Sequence, residues 1–200
     1  DLKKFHADRI KRVYMRRALK LKDNFVVGYH GRLSSEKNIK LLVKAFDKIK
    51  AKIPNAKLLI IGDGPLMKLV KNKPDIITVG FVDNPEDYLQ AIDVYTLPSM
   101  TETTGLALME AMACGLPCIA TNVGAIPSYL KHRKNGILLD NKKLDANLLA
   151  LAIEQLKKDI KLRTDIKRNA ASTIECCYSW YTTTKELEKI RDAETILNTH

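Results

Sequence analysis

TETTGLALMEAMACGLPCIATNVGA, residues 101–125, carries two glutamates eight positions apart, Glu102 and Glu110. Glu102 sits in a polar turn with Thr103, Thr104 and Gly105. Glu110 interrupts an apolar helical run of Leu106, Leu108, Met109, Ala111 and Met112. The run stops at Gly115 and Pro117, a helix-ending pair. A carboxylate within such a run is costly to bury unless something hydrogen-bonds it. The first N–H groups of a helix have no partner inside it and favour anionic ligands. The stretch therefore predicts a ligand with hydroxyls at one end and phosphate at the other.

Outward from this stretch, short β-branched or Leu-rich runs alternate with amphipathic ones. Strands are predicted at 25–29, 57–61, 76–79, 94–97, 118–121 and 136–139. Their apolar residues are nearly continuous, as expected when helices cover both faces. Between the first two runs, Ile39, Leu42, Val43, Phe46, Ile49 and Ile53 form the stripe of a half-buried helix, with Ser35 or Asn38 as its cap. Pro65 reads as a first-turn proline, and residues 83–86 as a cap, a proline and an early acid. After residue 139 the strand signal ends, and 144–162, 165–171 and 179–197 read as helices. The pattern predicts a single α/β domain over 1–200 with a doubly wound, mainly parallel six-stranded sheet and helices on both faces. Such sheets bind ligands beyond the carboxyl ends of their strands, at a topological switch point.

Unusual residues cluster at those strand ends. After the first strand, Gly31-Arg32-Leu33-Ser34-Ser35-Glu36-Lys37-Asn38 delivers a guanidinium and an ammonium, a pair suited to a diphosphate. An exposed loop with ordinary basic residues is the competing reading. Gly62 and Gly64 follow the second strand and allow close backbone approach, but Pro65, Leu66 and Met67 break a dinucleotide fingerprint. Gly80, Phe81 and Val82 follow the third strand and could shape a slot for a flat base. Taken alone, a buried Phe81 closing a strand is the stronger expectation. Glu102 alone could complement a helix dipole, and Glu110 alone could be a salt-bridged core acid. His30, beside Gly31, could point to the same place or be incidental. No Asp-x-Asp occurs, so no carboxylate-held metal is expected.

Size and composition narrow the class. The 200 residues are 46% apolar and 28% charged, enough for one full core. No apolar run approaches the ~18 residues of a membrane span, and the start has no secretory core. Cys114, Cys118, Cys176 and Cys177 show no zinc spacing and read as reduced thiols of a cytoplasmic protein. The net charge of +11 concentrates in residues 1–22, where nine Lys or Arg face two acids. That segment could be a solvated face or lie on an anionic membrane. No nucleic-acid motif accompanies it, and nucleic acid is not an expected partner.

The motifs together resemble the carboxyl-terminal, donor-binding domain of the retaining group 1 glycosyltransferases of the GT-B fold. GRLSSEKN, IGDGP, VGFV, the two spaced glutamates and EAMACGLPCIATNVGAIPSYL follow in family order, and SWYTTTKELEKI resembles the closing helix. The resemblance implies that Arg32 and Lys37 hold the donor's pyrophosphate and stabilise the leaving nucleotide. It implies that backbone near Gly31, Gly62, Gly64, Gly80, Phe81 and Val82 meets the nucleotide. Glu110 would bind ribose hydroxyls and Glu102 the transferred sugar, with Thr103, Thr104, Gly105 and Leu106 cradling sugar and phosphate. The donor would be a UDP- or GDP-type nucleotide sugar, without a metal or other cofactor. Many relatives carry an aromatic after the first glutamate, where this chain has Thr103 and Thr104. The family's amino-terminal acceptor domain is not in these residues, so the chain alone is expected to bind nucleotide weakly and to transfer little or no sugar. A non-catalytic nucleotide- or sugar-binding module is the alternative.

Overall fold

The computed structural model describes residues 1–178 together with 182, 184, 185, 188 and 191. The helix expected over 179–197, and with it the SWYTTTKELEKI likeness, falls largely outside the described residues.

Six strands form one sheet: β1 (Phe25–His30), β2 (Ala56–Ile61), β3 (Ile76–Thr78), β4 (Val94–Leu97), β5 (Cys118–Thr121) and β6 (Ile137–Leu139). Their order is β3-β2-β1-β4-β5-β6, and every pairing is parallel. β1 is central and pairs along its whole length with β2, from Phe25 opposite Ala56 to His30 opposite Ile61. Val26, Val27, Leu58, Leu59 and Ile60 are fully buried, which accounts for their uninterrupted apolar runs. The chain moves one way from β1 to β3 and the other way from β4 to β6. Right-handed crossovers then place the helices after β1 and β4 on opposite faces. The loops leaving β1 and β4 diverge, opening a crevice between them.

The helix after β1 is α2 (Ile39–Lys52), reached after α1 (Arg9–Ala18) in chain order. It buries Ile39, Leu42, Val43, Phe46 and Ile49, the predicted stripe. Asn38 stands at its N-cap but in a left-handed conformation (φ 57°) and makes no side-chain cap bond. Its N–H instead closes a turn on the Ser35 carbonyl, which tightens the preceding loop. Pro65 opens no α-helix; a single 3-10 turn, Met67–Leu69, follows it. α3 (Pro85–Leu89) starts at its proline, but Asn84 donates to the Asp87 carboxylate (2.8 Å) rather than accepting from backbone. α4 (Leu106–Ala113) follows β4, and the short α5 (Ile126–Tyr129) follows β5. The expected helices at 144–162 and 165–171 are in fact α6 (Ala146–Lys158) and α7 (Ile160–Cys177). They divide at Asp159, whose carboxylate accepts from the Leu162 N–H. That cap moves the break several residues toward the amino terminus.

The basic amino-terminal segment is partly structural. Asp8 caps α1 by accepting from the N–H groups of Ile10 and Lys11. Arg12 and Arg16 pair with Asp93, which also accepts from the Val26 N–H at the start of β1. Lys4 and Lys11 pair with Glu86 and Asp87 of α3. These four cations therefore fasten α1 and the segment before it to the domain and do not belong to a uniformly solvated face. On the other side of α1, Ile10, Val13 and Tyr14 are exposed. Among the described residues no helix is long and apolar enough to cross a membrane.

Gly62 fixes how closely two strand-end loops approach. Its φ is +131°, and a Cβ there would lie 2.1 Å from the Gly31 carbonyl oxygen. Its N–H donates to the Gly80 carbonyl at 2.8 Å. Gly62→Ala is expected to cost ~3 kcal/mol through strain and overpacking. Urea unfolding of the variant beside the wild type measures this, and an unchanged midpoint would contradict it.

Candidate functional site

Two adjoining cavities open at the carboxyl ends of the strands, and both are lined by His30, Gly31 and Arg32. The larger, about 600 Å³, adds the β2 and β3 loops through Gly62, Asp63, Gly64, Phe81 and Val82. The smaller, about 350 Å³, adds Lys37, Glu102, Thr103, Thr104, Gly105 and Leu106. The loops after four strands thus meet at the β1/β4 divergence.

Buried hydroxyls hold these loops. Tyr29 donates to the Arg32 carbonyl (2.8 Å), Tyr95 to that of His30 (3.2 Å) and Tyr129 to that of Thr104 (2.7 Å). Burial raises the pKa of each phenol, so each stays a donor. Leu33 donates its N–H to the Asp63 carbonyl, and Met100 to that of Glu36, stitching the β1 loop to the β2 and β4 loops. Gly105 enters α4 with φ +74°, where a Cβ would press within 2.8 Å of the Tyr129 hydroxyl. A glycine there brings the Thr104 turn and the start of the helix onto that tyrosine.

The charges converge. Lys37 Nζ lies 2.6 Å from Glu102 Oε1, and Ser99 donates to the same oxygen at 2.8 Å. The Glu102 side chain is only 9% exposed. Glu102 therefore neutralises Lys37 and does not merely complement a helix dipole. Arg32 is exposed at the mouth and, among the described residues, forms no ion pair. Glu110 of α4 has its Oε2 3.5 Å from His30 Nδ1, with no hydrogen bond made to that nitrogen. Neither Lys nor Arg pairs with Glu110 among the described residues, so it is not a salt-bridged core acid. Burial pushes its carboxyl above the ordinary carboxylate range. Burial also pushes His30 down to about 4, so its imidazole is neutral near pH 7.

Gly80 and Glu110, expected at the site, are not among the residues that line the two cavities. The Gly80 carbonyl accepts from Gly62, and Glu110 approaches His30, which lines both. Phe81 corrects its expectation: it is 79% exposed and forms part of the larger cavity's wall instead of closing the strand inside the core. Sequence reasoning left His30 undecided and missed Tyr29, Tyr95, Tyr129 and Ser99. In sequence these tyrosines look like strand or helix core residues, and no motif marks their hydroxyls. Among the described residues no group of three or more His, Cys, Asp or Glu side chains could hold a metal ion.

Comparison with known proteins agrees with this architecture. Residues 11–173 match the family model for glycosyl transferases group 1. Over 145 residues the chain is 37% identical to N-acetyl-alpha-D-glucosaminyl L-malate synthase of Bacillus anthracis, covering 69% of this chain and 37% of that protein. Anabaena HepE, solved with UDP and glucose, superposes with a TM-score of 0.84 at 22% identity, over 96% of this chain and 54% of its own. The C-terminal domain of the group 1 glycosyl transferase LpcC of Francisella tularensis superposes with a TM-score of 0.78 at 25% identity, over 90% of this chain and 98% of its own. The chain thus spans 37% of the first relative and about half of HepE. The six-stranded parallel sheet, the crevice at its β1/β4 divergence and the match over residues 11–173 together place this chain in the group 1 glycosyl transferase family, with the GT-B fold.

Proposed function

We propose that this chain is the donor-binding, carboxyl-terminal half of a retaining glycosyltransferase, taking a UDP- or GDP-type nucleotide sugar. The observation that carries this reading is the meeting of Arg32, Lys37 and Glu102 on one cavity, with the unneutralised Glu110 beside it. Arg32 and Lys37 bind the diphosphate, and the free Arg32 fork gives it two parallel hydrogen bonds. Phe81 and Val82, lining the larger cavity, pack on the base. Glu110 accepts from the ribose hydroxyls. Lys37 turns from Glu102 to phosphate when donor arrives, which frees Glu102 to accept from hydroxyls of the sugar. The bond from the anomeric carbon to the diphosphate oxygen breaks with its electron pair on that oxygen, the acceptor hydroxyl oxygen forms the new bond to the carbon, and the hydroxyl proton passes to the departing diphosphate. Arg32, Lys37 and the first N–H groups of α4 face the charge that develops there.

An acceptor domain elsewhere in the full-length protein supplies the opposite wall. The coverage of about half of HepE and nearly all of the LpcC domain supports this division. Transfer requires both substrates in register, so the 200 residues alone bind nucleotide and transfer little or no sugar to a glycan, polysaccharide or lipid-linked acceptor. A cytoplasmic location fits the four free cysteines.

Calorimetric titration of the chain with UDP and with GDP tests the proposal. Saturable binding of one of them supports it, and binding of neither contradicts it. Because the proposed cations are protein side chains, full-length activity is expected to survive EDTA; loss restored by Mg²⁺ or Mn²⁺ would contradict that.

The Glu110 role has a pH signature. The ribose hydroxyls need the ionised carboxylate, so affinity falls as pH falls through its raised pKa. Ionised Glu110 costs the empty fold, so its own stability contribution runs the other way and is lost as pH rises through that pKa. A nucleotide sugar is the better probe, since free UDP has a phosphate that titrates near pH 6. Glu110→Gln is expected to weaken binding about tenfold and to flatten the profile. A variant keeping the wild-type slope would show that another group titrates.

A further inference from the structure

The opposite end of the sheet carries a second cavity, of about 530 Å³, that the donor site does not use. Arg12 and Arg16 of α1, Lys157 of α6, and Arg163 and Lys167 of α7 line it, against two carboxylates, Asp23 and Asp93. The positive charges exceed the negative ones on its wall. Asp93 is already committed to both arginines of α1 and to the Val26 N–H. Lys157 Nζ stands over the Phe25 ring at 5.3 Å, and Arg163 reaches only the end carbonyls of α6, at 3.3 Å. Arg163 and Lys167 are four residues apart on one helix, a like-charge spacing that destabilises it.

Lys167 is exposed at the same wall. Among the described residues no carboxylate pairs with it. Crowding by the walls, then repulsion from Arg12 and Arg163, lowers its pKa, although the residue still meets solvent. Arg12 and Arg16 spend their donors on Asp93 and on the carbonyls of Gln90, Ala91, Ile92, Lys22 and Asn24 and supply only charge. The Arg163 fork and the mobile ammonium groups of Lys157 and Lys167 are therefore the donors that match a tetrahedral oxyanion.

We propose that this basal cavity is a second ligand site, separate from the donor crevice, that binds a phosphate group. The phosphate can belong to a soluble anion or to a lipid headgroup. The exposed Ile160 at the cavity wall gives the lipid source a physical basis, because it places an apolar side chain beside these cations.

The test uses the 200-residue chain with Arg32→Ala and Lys37→Ala, which removes the phosphate contacts proposed at the other end. Inorganic phosphate is titrated while backbone amide resonances are followed. Saturable shifts are expected at residues 23–25 and along the first half of α7. Lys167→Met is expected to weaken them about tenfold, with thermal melting as the control for folding. Lys157→Met provides an independent second variant. In a parallel arm, the chain is sedimented with vesicles of phosphatidylcholine, with and without phosphatidic acid. Lys167-dependent binding to the anionic vesicles alone supports the proposal with lipid as the source. Lys167-dependent phosphate shifts without vesicle binding support it with a soluble source. Shifts that are absent or indifferent to Lys167→Met and Lys157→Met, together with vesicle binding that is absent or equally indifferent, would overturn it.

Discussion

Replacing Arg32 and Lys37 together by alanine is expected to lower the affinity of the chain for the proposed nucleoside diphosphate by roughly 100-fold or more. Each side chain contributes about 1.5–3 kcal/mol as a charge-assisted hydrogen-bond donor. The two act on one anion, so the combined loss falls short of the simple sum. Arg32 is exposed and forms no ion pair among the described residues, so its removal leaves the fold intact. Removing Lys37 strands Glu102, whose side chain is 9% exposed, and costs some stability. Calorimetry must therefore be run beside a melting curve. Arg32→Lys discriminates further: charge remains while the planar fork is lost, and intermediate affinity is expected. A double variant that binds within twofold of wild type would remove the diphosphate from this loop.

The second large effect concerns chemistry. In the full-length enzyme, Glu102→Gln is expected to lower turnover by roughly 100-fold, the scale of losing one preorganised polar contact to the transition state. Nucleotide affinity should hold or rise slightly. The reason is the 2.6 Å contact between Lys37 and Glu102 Oε1. Glutamine keeps the shape and an acceptor for Ser99, but no longer competes with phosphate for the ammonium. A fall in UDP affinity that matched the fall in turnover would make Glu102 a nucleotide contact and not a sugar contact.

The sheet was readable because its signals are local. Near-continuous apolar runs such as those at Val26–Val27 and Leu58–Ile60 occur where both sheet faces are covered. The stripe from Ile39 to Ile49 has one helical solution. The division at Asp159 was harder, because apolar periodicity continues on both sides and only a capping carboxylate marks it. The convergence of Arg32, Lys37 and Glu102 followed from strand-end position plus topology, since parallel strands deliver their following loops to one edge. What pattern could not supply was direction. Nothing in Gly80-Phe81-Val82 says that the ring faces outward. Nothing around Tyr29, Tyr95 or Tyr129 says that each hydroxyl holds a loop carbonyl of the site. The basic amino terminus misled for the same reason. Its charge is plain in sequence, but the pairing of Arg12 and Arg16 with Asp93 depends on a residue more than seventy positions away.

A crystal structure of the 200-residue chain grown with UDP, or with GDP if that binds more tightly, tests the donor-site claim most directly. The diphosphate is expected within hydrogen-bonding distance of Arg32 and Lys37, with the ribose hydroxyls on Glu110 and the base beside Phe81. A nucleotide bound anywhere else, or one seated here with Arg32 and Lys37 turned away from its phosphates, would contradict the account.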